Sequence, residues 1–284
     1  MSKANIVSFS GGRTSAYLVH CIEKMRKNGE IDNVHYVFMD TGAEHPKTYE
    51  FIKQVVKHFN IDLVCIRAVT NLEIGKGNTY EIININDIGH NLKPWTDMSE
   101  KYGLPYVHGA FCTDRMKTTP YNKWAKDTFG KDNFTSWLGI RIDELNRLSP
   151  KKGIKYLAEI SPMDKLDIIG FWREMPFDLD INEWEGNCVF CVKKGVNKIA
   201  LAVIDNPDLA KQFQDVIASD KVRHRESQQE APKVMYRGNM TLEQIINTYG
   251  QFSREQIMQS MRSSSGSCTE SCEVFGCQID MFGD

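Results

Sequence analysis

Two rhythms of apolar and polar residues alternate along this chain, and the changes of rhythm outline a fold. Residues 4–9 (Ala-Asn-Ile-Val-Ser-Phe) form a short apolar run that reads as a buried strand. Past the glycine-bearing stretch 10–15, Ala16, Leu18, Val19, Ile22 and Met25 recur at helical spacing. Residues 33–39, apolar at Val34, Tyr36, Val37 and Phe38, predict a second strand. Pro46 then opens a helix carrying Tyr49, Ile52, Val55, Val56 and Phe59, and residues 62–67 predict a third strand. Strand, loop and helix repeated with short connections predict an α/β fold. Its core is a doubly wound, mainly parallel sheet with helices on its faces.

The rhythm weakens downstream. Residues 70–110 are rich in Asn, Gly and polar side chains and read as an insertion covering the sheet edge. Residues 117–129 predict a helix with Pro120 near its start, and residues 134–140 a strand ending at Arg141. A turn at Pro162 leads into a helix reaching Trp172; residues 200–219 and 242–249 are helical by periodicity. Arg262-Ser-Ser-Ser-Gly-Ser267 has the composition of a linker and leads to a cysteine-bearing tail. The expected division is an α/β domain over residues 1–180 and a helical, cysteine-bearing region over 181–284, with a flexible tail from about residue 262.

Composition narrows the class. A chain of 284 residues, 41% hydrophobic and 25% charged, has the makings of a proper core. That excludes a disordered chain, a collagen-like repeat and a small disulfide scaffold. No apolar run approaches the ~20 residues a membrane span needs, and the opening Met-Ser-Lys-Ala-Asn is no signal peptide. The expectation is a cytoplasmic protein with no membrane contact. A net charge of −2 argues against a generic nucleic-acid coat. Eight cysteines in a reducing compartment read as metal or redox groups rather than disulfides. Cys21 and Cys65 sit in apolar patterns as packing residues; the other six are grouped.

Chemistry gathers at four places. Ser10-Gly11-Gly12-Arg13-Thr14-Ser15 lies between a strand and a helix, where glycines admit close approach and the helix terminus attracts anions. A plain helix cap is the alternative. Asp40, with Thr41 and Gly42, stands at a strand end, where parallel sheets bind ligands. It suits a nucleoside contact or a magnesium ion, or else caps its own turn. Arg141 suits the fork-like binding of phosphate or sulfate, against a surface ion pair with Asp143 or Glu144. Cys188-Val-Phe-Cys191 has a spacing shared by zinc sites, iron–sulfur clusters and redox dithiols.

Together these blocks resemble a known family. Ser10–Ser15 resembles the pyrophosphate-binding loop of the PP-loop (adenine nucleotide α-hydrolase-like) superfamily. Phe38-Met-Asp40-Thr41-Gly42-Ala-Glu44-His-Pro46, Cys112-Thr-Asp-Arg-Met-Lys117-Thr-Thr-Pro120 and Leu138-Gly-Ile-Arg141 resemble successive motifs of phosphoadenylylsulfate (PAPS) reductases, in the family's order. The resemblance implies an enzyme that reduces a sulfonucleotide to sulfite. ATP or PAPS would lie on Ser10, Gly11, Gly12, Arg13, Thr14, Ser15, Asp40, Thr41, Gly42 and Arg141. It also implies a [4Fe–4S] cluster, with zinc as the alternative, on Cys112, Cys188 and Cys191. Lys193 and Lys194 would add positive charge beside it, and Lys117 would act on the bound anion. The family's C-terminal Glu-Cys-Gly-x-His motif is absent; the tail carries Cys268, Cys272 and Cys277 instead, which offer either a fourth cluster ligand or a mobile nucleophile, with Cys272 and Cys277 the candidate nucleophiles. A thioredoxin-like reductant or a sulfur donor is the implied partner, and a homodimer is open. The complete two-glycine loop also resembles that of ATP-dependent sulfur-transferases that thiolate nucleic acids, which is the alternative function.

Overall fold

A computed structural model describes residues 2–224 and 233–261. The sheet has six strands: β1 (Ala4–Ser8), β2 (Val34–Asp40), β3 (Leu63–Val69), β4 (Thr79–Ile83), β5 (Phe134–Leu138) and β6 (Ile154–Tyr156), in the order β4-β3-β2-β1-β5-β6. All neighbours run parallel except β4, which pairs antiparallel with β3. The chain winds outward from β1 through β2 and β3, then crosses to the other side of β1 to place β5 and β6. That reversal puts a crevice between the carboxyl ends of β1 and β5, the position where such sheets receive ligands.

Side chains alternate across the sheet as the pleat requires. Ile6, Val37, Met39 and Ile66 face Tyr121, Trp124 and Ala125 of α4 (Thr119–Phe129). Val7, Tyr36, Phe38 and Cys65 face the opposite layer, formed by α1 (Arg13–Lys27), α2 (Pro46–Phe59) and α5 (Lys165–Arg173). Leu18, Val19 and Ile22 of α1 and Ile52 and Val55 of α2 are fully buried there, which is the stripe that the helical spacing predicted. Helices on both faces make the sheet doubly wound, as expected. α2 starts on Pro46, with His45 at its N-cap accepting from the Lys47 N–H, and ends on the left-handed Asn60.

Three stretches differ from the sequence reading. Residues 70–110 hold the edge strand β4 and the helix α3 (Lys93–Tyr102). β4 is mostly solvent-facing, with Ile82 at 61% exposure, so no alternating pattern marks it. The helix expected over 200–219 is two, α6 (Val196–Asp205) and α7 (Pro207–Ala218). Pro207 has no N–H for the ladder and disfavours helical backbone at the residue before it; Asn206 accordingly sits at φ −137°. Residues 114–118 form a π-turn ahead of α4. The described residues close with α8 (Leu242–Tyr249) and α9 (Arg254–Met261). Val189, Phe190, Leu201, Phe213 and Ile245 share one apolar cluster with Ala43, Met98 and Met116. Among the described residues no helix is long and apolar enough to cross a membrane.

Gly11 is where α2 meets the β1–α1 loop. Its φ is +84°, and a Cβ there would stand 2.8 Å from Thr48 Cγ2 and 2.9 Å from Ile52 Cδ1. Gly29, at φ +74°, has nothing within 4 Å of the same point. Gly11→Ala therefore combines backbone strain with overpacking, ~3 kcal/mol, whereas Gly29→Ala carries strain alone, ~1 kcal/mol. Urea unfolding of the two variants checks this; equal losses would refute the contact argument.

Candidate functional site

The loop leaving β1 is built from its own side chains. The Ser10 N–H donates to Ser15 Oγ at 3.1 Å, and the two hydroxyls lie 2.9 Å apart. Ser15 Oγ donates to the Gly12 carbonyl at 3.0 Å. Thr14 is buried and accepts from Arg141 Nη1 at 3.1 Å. Thr14 and Ser15 thus brace the loop rather than line its mouth. Gly12 is the N-cap of α1, with no side chain to cap the helix, and no acidic residue stands in the first turn. The helix terminus keeps its positive end for an anion.

Both arginines expected on phosphate are held by carboxylates. Arg13 grips Asp178 through Nε at 2.7 Å and Nη2 at 3.0 Å, and also donates to the Leu179 carbonyl. Its own carbonyl accepts from Trp172 Nε1 at 2.9 Å. Arg141 is 4% exposed and forks onto Asp143, Nε to Oδ1 at 2.8 Å and Nη2 to Oδ2 at 3.0 Å. Burial alone would raise the Asp143 carboxyl, but the Arg141 fork outweighs it and holds the group below the usual carboxylate range. The ion pair with Asp143 is therefore present, its arginine buried and its carboxylate exposed, and Arg141 joins the β5 exit to the β1 loop at the switch point.

Asp40 is completely buried at the end of β2. Its Oδ2 accepts from Arg67 Nε at 3.1 Å and Nη2 at 2.6 Å; its Oδ1 accepts from the Gly42 N–H at 3.0 Å and Tyr49 Oη at 3.1 Å. Burial and the neighbouring Glu44 push the carboxyl up, and Arg67 opposes them. With four donors on two oxygens, Asp40 holds the strand end and its turn. Arg67 is its register partner on β3, a pairing absent from the sequence reading. The pairing follows from strand register and not from residue type. Thr41 donates to Glu44 Oε2 at 2.7 Å, and Tyr49 reaches the same oxygen at 2.9 Å. Lys117 Nζ lies 3.5 Å from Glu44 Oε1, so Lys117 is buried in this cluster.

The Cys188–Cys191 turn is sewn to this cluster by backbone. Glu44 and Cys188 form an antiparallel bridge, and the Val189 N–H donates to the Ala43 carbonyl at 3.0 Å. Cys188 Sγ stands 3.6 Å from Thr41 Oγ1. Burial and then Glu44 raise its thiol well above the ordinary value; Lys117 pulls the other way, while Cys191 and Cys112 raise it further. The influence of Cys191 and Cys112 on Cys188 puts the three thiols in one neighbourhood. The donor set, thiols only, suits a soft-metal centre in kind. In geometry it does not close: among the described residues no three His, Cys, Asp or Glu side chains stand as a metal-holding group. Cys272 and Cys277 lie outside the described residues.

Lys194 is 2% exposed, and its ammonium donates to the carbonyls of Trp184, Cys188 and Val189 at 2.6, 3.0 and 2.8 Å. Burial pushes its pKa down to about 8. Beside the site, His45 Nε2 donates to Asn206 Oδ1 at 3.0 Å, and Asn206 Nδ2 donates to Glu185 Oε1 at 2.7 Å.

Removing Arg67 leaves Asp40 charged, buried and without its cation. Arg67→Met should lose ~3 kcal/mol or more, and Asp40→Asn in the Arg67→Met background should recover part of that loss. Denaturant midpoints of the single and double variants check the coupling; additive losses would refute it.

The comparisons agree with this arrangement. The profile of the phosphoadenosine phosphosulfate reductase domain matches residues 4–156, from the first residue of β1 to the last of β6. The uncharacterized nin region protein ORF290 of Escherichia phage lambda is 49% identical over 285 residues, covering 97% of each chain. The uncharacterized protein MJ0066 of Methanocaldococcus jannaschii is 27% identical over 153 residues, which are 54% of this chain and 26% of that one. Doubly wound sheet, loop, strand-end cluster and matched span lead to one assignment: the chain belongs to the phosphoadenosine phosphosulfate reductase domain family.

Proposed function

We propose that the protein is an enzyme that binds an adenine nucleotide at the switch point and carries out thiol-based sulfur chemistry, reducing a sulfonucleotide to sulfite. The observation that carries this reading is the bridge between Glu44 and Cys188, which sets thiols beside the strand-end turn next to the loop. The nucleotide's phosphates lie against the uncapped start of α1, held by backbone N–H groups. A thiolate outside the buried cluster, from Cys272 or Cys277, attacks the sulfonate sulfur. The sulfur–oxygen bond to phosphate breaks, adenosine phosphate leaves with that electron pair, and an enzyme thiosulfonate remains. A second thiol, from the chain or from a thioredoxin-like reductant, then attacks the enzyme sulfur. Sulfite leaves carrying the two electrons, and the two thiols that gave them up remain as a disulfide.

One observation favours the second reading, ATP-dependent sulfur transfer to a nucleic acid: the loop keeps both glycines and an uncapped helix terminus, suited to pyrophosphate. A thiolate-bound iron centre on Cys112, Cys188 and Cys191 requires those thiols to draw closer than they stand.

Anaerobically purified protein given PAPS or ATP should yield sulfite from the former; AMP and pyrophosphate from the latter select sulfur transfer. Neither product would sink both readings. Gly12→Val, at a backbone φ of −90° that any residue adopts, should keep the fold and weaken nucleotide binding at least ~10-fold by calorimetry. Iron content, read on wild type and Cys188→Ser, decides the metal.

A further inference from the structure

Lys194 carries a full set of hydrogen bonds and no counter-charge. Its three ammonium protons meet three backbone carbonyls, those of Trp184, Cys188 and Val189. Among the described residues no carboxylate oxygen lies within ion-pair distance of it. An ammonium taken out of water is costly unless every donor is satisfied. Here the satisfaction runs both ways. The carbonyls lie beside the apolar cluster of Val189 and Phe190, where the ammonium satisfies them.

The three carbonyls belong to the thiol turn. Trp184 lies four residues before Cys188, and Val189 one residue after it. Drawn to one nitrogen, they fix the two peptide planes that follow Cys188, 188–189 and 189–190, and tie them to the preceding turn at Trp184. Val189 is the residue whose N–H reaches the Ala43 carbonyl, so the same peptide group is held from opposite ends. The Cys188 carbonyl also accepts from the Cys191 N–H at 3.1 Å, which places the second thiol. We infer that Lys194 is the positioning residue of the thiol centre: its ammonium is the post on which the Cys188–Cys191 turn is wound and pressed against Thr41 and Glu44.

The inference rests on reading these thiols as part of the reacting site, but its test needs neither nucleotide nor turnover, so the two can fail separately. Alkylation by N-ethylmaleimide, resolved by peptide mass mapping, reports each thiol's access. Cys65, 1% exposed in β3, serves as the reference for the whole fold. Lys194→Met keeps the side chain's length and removes all donors; Lys194→Gln keeps an amide donor. The expected result is alkylation of Cys188 and Cys191 about tenfold faster in Lys194→Met, an intermediate gain in Lys194→Gln, and no change at Cys65. Should Lys194→Met fail to fold, Lys194→Gln supplies the reading. Wild-type rates at Cys188 and Cys191 would overturn the inference. A parallel rise at Cys65 in both variants would overturn it too, since Lys194 would then support the fold at large.

Discussion

The short antiparallel contact between residues 43–44 and 188–189 is the constraint on which the site depends. It joins two lengths of chain that the sheet alone would leave apart. One is the turn at the end of β2, the other a loop that precedes the C-terminal helices. Main-chain bonds set its geometry, so side-chain identity on either strand is left to serve chemistry. Glu44 turns inward to Thr41, Tyr49 and Lys117. Cys188 turns towards the same hydroxyl of Thr41. Charge follows from that placement: desolvation first, and then the Glu44 carboxylate beside it, push the Cys188 thiol well above its ordinary value.

A second theme is how much of the expected ligand machinery is spent on structure. Arg13 and Arg141 each make a bidentate bond to an aspartate, and Asp40 is saturated by four donors. These groups tie loops together at the switch point: β1 loop to β5 exit, β1 loop to residues 178–179, and β2 to β3. The start of α1 beside them is backbone, with Gly12 at the N-cap and no acidic residue in the first turn. A site of that kind binds by shape and dipole, and its side chains act by holding the loop still.

The alternating strands and helices of the first seventy residues were legible because each element buries one regular face. β4 and β6 were not: one is a solvent-facing edge strand and the other is three residues long, too short to show a period. The break at Asn206 was legible in principle, since Pro207 stands in the sequence. The apolar spacing of Ala200 and Phe213 runs across it and masks the stop. At the site, the Cys188–Cys191 spacing marked a thiol turn in the sequence, whereas Arg67 and Lys194 were not singled out for their roles. The role of Arg67 depends on strand register, and that of Lys194 on a turn whose carbonyls point inward. Neither leaves a mark in residue type, because lysine and arginine read by default as solvated charge.

The elbow between α6 and α7 has a further consequence. Because Pro207 ends the helix, the side chain of Asn206 is released from a helical face and spans His45 and Glu185 at once. His45 is the N-cap of α2, so a proline far along the chain governs how that helix begins. The α6–α7 elbow is thus tied to the start of α2 by side-chain hydrogen bonds that pass through no strand of the sheet.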